Sequence, residues 1–117
     1  MWIFLNKAFL SIVQDHKDPD QLLVRGRFVG DIESIWPDAK VVEWGGTDYR
    51  FRTFLPRKEV VDAMVQEIEA LDYNNFKNSV SNLVRHDIYA EVWLAMYDRQ
   101  ARLDPEHTTL IMGFREP

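Results

Sequence analysis

The sequence predicts an α+β protein: an antiparallel sheet of about four to five strands, with two to three helices packed on one face, in a single domain spanning residues 1–117. Three observations predict this two-layer sandwich. The first half of the chain consists of short segments rich in β-branched and aromatic residues. These segments follow one another closely, as in hairpins. The second half carries apolar residues at helical spacing, and helices packed on one sheet face leave the other face in solvent.

Five segments have the composition of strands. One of them alternates cleanly: Leu22 and Val24 face one side, while Leu23, Arg25 and Arg27 face the other, which is typical of a half-buried strand. The glycine pair at 45 and 46 predicts a turn, and the tail segment HTTLIMGF at 107–114 predicts a last short strand. The five segments are Trp2–Leu5, Ala8–Gln14, Gln21–Phe28, Ala39–Trp44 and Thr47–Leu55.

Helix signals appear at three places. The segment GDIESIWP predicts a short helix that Gly30 or Asp31 caps and Pro37 ends. Pro56 predicts the start of a second helix. From Asp72 onward, apolar residues at helical spacing predict one long helix, or two with a break near 82–86, with a cap at Asn74 or Asn75. The apolar stripe of the second helix is Val60, Val61, Met64, Ile68 and Leu71.

Composition restricts the function classes. With 19 acidic and 14 basic residues, the net charge is −5, which disfavours nucleic-acid binding through overall charge. The chain has no cysteine, so disulfides, thiolate metal sites and cysteine nucleophiles are excluded. No apolar run approaches the roughly 20 residues that span a bilayer, and the first residues lack a signal-peptide pattern. We therefore expect a cytoplasmic protein without membrane contact.

Five stretches, taken in order, resemble a family of small bacterial and phage-borne proteins for which no activity or catalytic residues are established. They are MWIFLNKAFLSIVQ, LLVRGRFVGDIE, GTDYRFR, LDYNNFKNSV and RHDIYAEVWLAMY. The resemblance covers Met1 to about Tyr97, and GTDYRFR and DYNNFK are its most specific parts. It implies a bacterial or phage protein of the cytoplasm with an accessory role, such as modulating a host defence system, and it transfers no mechanism.

The most informative candidate site is a set of four arginines. Arg25 and Arg27 alternate on one predicted strand and Arg50 and Arg52 on another, so all four share a surface if the two strands match faces. Arginine suits bidentate contact with carboxylate or phosphate, and Tyr49 could flank such a patch. One interpretation is therefore a docking face for an acidic protein partner, or a clamp for a phosphorylated small molecule. The other is a solvated sheet face whose arginines pair with Glu43, Asp48 or helix acids.

The sequence shows no catalytic apparatus. His16, His86 and His107 lack the spacing of metal ligands, so we expect no metal and no cofactor. His86 and Asp87 are adjacent, and neighbouring helical residues point about 100° apart, so they form no ready dyad. No nucleophile or paired carboxylate accompanies them, which favours a non-enzymatic protein. If the alternative of an enzyme held, His86 or Asp48 would supply its acid–base groups.

A last feature is the wide apolar stripe of the final helix. Tyr89, Trp93 and Tyr97 extend a stripe that smaller residues already provide. Aromatic side chains are typical of both cores and interface centres. The helix is therefore either buried within the chain on two sides, or these three aromatics form a homodimer interface.

Overall fold

The computed structural model describes residues 1–44 and 48–103. Within them, five strands form one antiparallel sheet in the order β1-β2-β3-β5-β4, accompanied by four helices, which confirms the α+β class. The residues group into two compact units, Met1–Ser79 and Val80–Pro117. The elements are β1 (Trp2–Phe4), β2 (Phe9–Gln14), β3 (Gln21–Gly26), α1 (Asp31–Ile35), β4 (Val42–Glu43), β5 (Phe51–Pro56), α2 (Arg57–Glu69), α3 (Phe76–Ser79) and α4 (Leu83–Arg102).

The sheet lies entirely within the first unit. Strands β1, β2 and β3 follow one another as hairpins, and a backbone hydrogen bond of 2.8 Å from Leu5 to Ala8 closes the first turn. The chain then leaves the sheet through α1 and returns along the outer strand β4. The next strand, β5, enters between β4 and β3. This return places the two arginine-bearing strands, β3 and β5, side by side.

The core lies between one face of the sheet and the helices α1 and α2. Alternate residues of the three central strands point inward because side chains of a strand alternate between faces. Ile32 and Trp36 of the α1 region and Val60 of α2 cover them. The inward strand residues that are buried include Thr53 and the apolar residues Leu10, Ile12, Leu22, Val24 and Leu55.

The helix α1 begins where the sequence predicts. Gly30 takes a φ of +89°, a conformation that L side chains rarely adopt, and precedes the first helical residue. Asp31 is buried and accepts a hydrogen bond of 3.0 Å from the backbone nitrogen of Phe9, which joins α1 to β2. The helix ends at Ile35, just before Pro37, and Trp36 turns into the core.

The predicted stripe of α2 is only partly correct. The helix starts directly after Pro56, and Val60 is buried with Met64 half-buried. In contrast, Val61, Ile68 and Leu71 are exposed. At about 100° per residue, Val61 and Ile68 lie roughly 80–100° around the helix from Val60, and Leu71 follows the end of the helix. Arg57 fixes the start of the helix through hydrogen bonds to the carbonyl oxygen of Pro19 and to Gln14.

The last helical region is two helices, as one of the two alternatives predicts, but the break lies at residues 80–82 rather than near 82–86. Asn75 caps α3 by accepting a 3.1 Å hydrogen bond from the nitrogen of Asn78. Asn82 caps α4 in the second unit in the same way, accepting 3.0 Å from Arg85. No helix among residues 1–44 and 48–103 is long and apolar enough to cross a membrane. The predicted turn at Gly45 and Gly46 and the predicted strand at 107–114 lie outside the described residues.

Candidate docking surface

The outward face of the sheet carries a central pair of arginines. Arg25 of β3 stands directly opposite Arg52 of β5 in the antiparallel register, so both side chains emerge on the same face. On its other side, Arg25 stands opposite Ser11 of β2, and its Nη2 donates a 2.8 Å hydrogen bond to the Ser11 hydroxyl. We call the outward face of β2, β3 and β5, together with the side chains of Arg27 and Tyr49, the arginine face.

Tyr49 supports two of the arginines. The guanidinium carbon of Arg25 lies 4.7 Å from the centre of the Tyr49 ring, and that of Arg27 lies 4.2 Å from it. Arg27 also donates a 2.7 Å hydrogen bond to the carbonyl oxygen of Asp48. The ring is only 5% exposed. Such cation–π contacts contribute about 0.5–1 kcal/mol each at exposed sites, and more when desolvated.

The position of Tyr49 differs from what strict alternation predicts. Counting back from Phe51 and Thr53 would place its side chain toward the helices. The backbone bends at residues 48–50 before β5 begins at Phe51, so the alternation does not extend that far. The bend turns the Tyr49 ring to the side of Arg25 and Arg27.

Arg52 is held by a different ring. Its guanidinium carbon lies 5.2 Å from the centre of Trp44, which follows β4. The Nε atoms of Arg25 and Arg52 are both buried and have no hydrogen-bond partner among the described residues. Like charges directly opposite each other destabilise a strand pair, and an unpaired buried N–H adds to that cost. The contacts of Arg25 with Tyr49 and of Arg52 with Trp44 act in the opposite direction and stabilise the pair.

The fourth arginine is placed differently. The Nε of Arg50 lies 2.9 Å from a carboxylate oxygen of Glu43, and both side chains are exposed. This contact is one of those expected for a solvated face. Arg25, Arg27 and Arg52 form no ion pair with any carboxylate in the described part of the chain. Three of the four arginines thus lack a carboxylate partner in the described part of the chain, and the fourth pairs with Glu43.

Exposed apolar side chains surround these cations. Phe54 of β5 and Val42 of β4 are each 57% exposed, and Trp44 is 55% exposed. Trp2 of β1 stands opposite Ser11, which extends the apolar border to the other edge of the sheet. The arginines of this surface could be predicted from the sequence, but the positions of Trp2, Val42 and Trp44 on it could not. The alternation of apolar residues in β1 and β4 indicates that these side chains share a face of their strands. Only the pairing of β4 with β5 shows that Val42 and Trp44 lie on the arginine face.

The described histidines lie on elements other than β2, β3 and β5. His16 is exposed beside Asp15 in the loop before β3. On α4, the Nδ1 of His86 lies 3.4 Å from a carboxylate oxygen of Asp87, so the adjacent pair does come into contact. Among residues 1–44 and 48–103, no three histidine or carboxylate side chains gather as a metal site would require. His107 lies outside the described residues.

The three aromatics proposed as an oligomer interface lie on α4. Trp93 and Tyr97 are exposed and stack on each other, with ring centres 5.1 Å apart and planes inclined by 13°. Tyr89 is buried, and its hydroxyl accepts a 3.4 Å hydrogen bond from Arg85. An exposed self-association surface would therefore rest on Trp93 and Tyr97 rather than on Tyr89.

Comparison of the chain with protein-family models, with curated proteins and with solved structures finds no match. The geometry of the arginine face is therefore the basis for assigning a function to the protein.

Proposed function

We propose that the protein is a non-catalytic binding module of bacterial or phage origin that docks an acidic partner protein through the arginine face. In the inhibitory form of this proposal, the partner belongs to a host defence system and docking covers a surface that it needs. The observation that carries the proposal is the opposed pair Arg25 and Arg52, held side by side without a carboxylate partner in the described part of the chain.

The face has the chemistry of an interface centre. Arginine, tyrosine and tryptophan are the residues most often responsible for binding energy in protein interfaces. Here Tyr49 and Trp44 hold three guanidiniums in place before any partner arrives, so less side-chain freedom is lost on binding. Their terminal nitrogens can donate paired hydrogen bonds to carboxylates.

The net charge of −5 is consistent with this local mode of contact. A partner with negative charge is repelled by the chain as a whole at long range, but charges farther apart than about 8 Å are screened at physiological salt. Attraction then comes from direct contact with the arginine face. We therefore infer that the binding energy comes from direct contacts over a small surface and that long-range electrostatic attraction contributes little.

A phosphorylated small molecule is the second candidate ligand. It is favoured by the position of Arg25 and Arg27 over one ring, where two guanidiniums could clamp one phosphate. In that case Asp48, which lies in the same compact unit as these arginines, would be the acid–base group.

The experiment is affinity capture from a lysate of the native host with three immobilised proteins. They are the wild type, a face variant and a control variant with the same change in charge. We expect the wild type and the control to retain the same partner and the face variant to lose it. The face variant is Arg25→Glu, Arg27→Glu, Arg50→Glu and Arg52→Glu; the control is Lys17→Glu, Lys58→Glu, Arg99→Glu and Arg102→Glu.

Two outcomes would contradict the proposal. One is a face variant that is folded by circular dichroism and still retains every captured partner. The other is a rise in melting temperature with inorganic phosphate or ATP that the face variant abolishes, since this would support the phosphate clamp instead.

A further inference from the structure

A small cleft, lined in part by apolar side chains, lies at the border of the arginine face. It lies along β4 and β5 and measures about 120 Å³, well below the roughly 300–1,000 Å³ of small-molecule sites. That is room for one aliphatic side chain. The residues that line it are Lys40, Val42, Trp44, Arg52, Thr53 and Phe54.

The cleft combines apolar walls with a cationic rim. Val42, Trp44 and Phe54 are all more than half exposed although each is a large apolar residue. Exposed apolar surface that is grouped and bordered by polar groups marks interaction sites. Arg52 stands at one side, with its guanidinium over the Trp44 ring, and Lys40 at another, and neither forms an ion pair among the described residues.

We propose that this cleft is the anchor site for one aliphatic side chain of the acidic partner, which lies next to a carboxylate that Arg52 and Lys40 bind. The inference rests on the proposed function and adds the recognition rule. The partner segment carries Leu, Ile, Met or Val beside Asp or Glu. Charge complementarity selects this occupant, because an apolar segment without an acid would leave two cations of the rim unpaired and desolvated.

The apolar cleft and the arginines have different effects on binding because their chemistry differs. Burial of an aliphatic group in the cleft contributes affinity in proportion to the apolar area removed from water. The arginines contribute orientation and discrimination against basic partners. Removing the apolar wall should therefore weaken binding while the preference for acids remains. Removing the arginines should abolish the preference for acids while the aliphatic preference remains.

The test is a selection from a phage-displayed library of random 12-residue peptides on three forms of the full chain: wild type, Phe54→Ser and Arg52→Gln. Val61→Ser is the matched control, since Val61 is 51% exposed on α2 and lies off this face. We expect wild type and control to enrich an aliphatic residue beside an acid. Phe54→Ser should bind the selected peptides about tenfold more weakly and lose the aliphatic preference only. Arg52→Gln should lose the acidic preference.

The selected peptide is then titrated against ¹⁵N-labelled protein, and the indole N–H signal of Trp44 is expected to move. Aliphatic enrichment that survives in Phe54→Ser, or acidic peptides enriched without an aliphatic residue, would overturn the anchor site. The same holds for a selection that yields no peptide whose binding depends on Phe54. Absence of any acidic preference would instead contradict the proposed function. Tighter binding of a single-stranded oligothymidylate at Trp44 would show that the face binds nucleic acid and would overturn both.

Discussion

Replacing Trp36 by alanine is expected to lower the free energy of unfolding by about 3–5 kcal/mol. Trp36 is only 6% exposed and packs with Ile32 and the central strands in the core. Removing a large buried side chain loses its transfer free energy and leaves a cavity that the surroundings fill only partly. The measurement is equilibrium unfolding in urea, with the midpoint and the slope fitted separately.

Two further variants make this prediction sharper. The indole Nε1 of Trp36 is buried without a hydrogen-bond partner among the described residues, so Trp36→Phe removes an unsatisfied donor together with part of the ring. We expect it to cost much less than alanine. Trp93→Ala on α4 is the control, because Trp93 is 46% exposed, and it should cost under about 1 kcal/mol. An alanine variant at Trp36 that is as stable as the wild type would contradict the described core.

Replacing Tyr49 by alanine is expected to have the second largest effect, about 3 kcal/mol on unfolding, and to weaken partner binding as well. The ring is buried and supports both Arg25 and Arg27. Tyr49→Leu separates the two effects, since it keeps an apolar side chain but removes the ring face. It should therefore cost less stability while affinity still falls, because the two guanidiniums lose their support.

The readout for Tyr49 is unfolding in urea together with isothermal titration calorimetry against the captured partner. Tyr97→Ala is the matched control, as Tyr97 is an exposed aromatic on α4. It should leave the affinity unchanged. If Tyr49→Leu binds the partner with wild-type affinity, the ring does not organise the docking surface.

Much of the fold could be predicted because its signals are local. The alternation of β3 is a property of a few consecutive residues, and Gly30, Pro37 and Pro56 act on the backbone at their own positions. The same alternation explains why Arg25 is on the outward face of the sheet while its neighbour Val24 is on the inward face. Asn75, one of the predicted caps, does cap a helix for this reason.

The remainder of the site depends on contacts between distant parts of the chain. Nothing within β3 or β5 alone specifies that they pair, or that Arg25 meets Arg52 in the register. The cleft needs β4 beside β5, which follows from the path of the chain through α1. Strand alternation alone does not place Tyr49 beside Arg25 and Arg27, because the bend at 48–50 interrupts the two-residue period.

The Arg25–Arg52 pair is expected to serve binding rather than stability. In the isolated chain, Arg52→Glu loses the contact with Trp44, about 0.5–1 kcal/mol. It also exchanges a like-charge cross-strand pair for an opposite-charge one, which contributes about 0.2–1 kcal/mol. These changes nearly cancel, so the folded chain should tolerate the substitution.

The most direct test is therefore one paired measurement on Arg52→Glu: the free energy of unfolding in urea, and the affinity for the captured partner by calorimetry. We predict a free energy of unfolding within about 1 kcal/mol of the wild type. We predict an affinity lower by about 100-fold, which corresponds to about 2.7 kcal/mol. A variant that is destabilised by more than about 2 kcal/mol and binds with wild-type affinity would show that Arg52 is structural. That result would contradict a binding role for the Arg25–Arg52 pair.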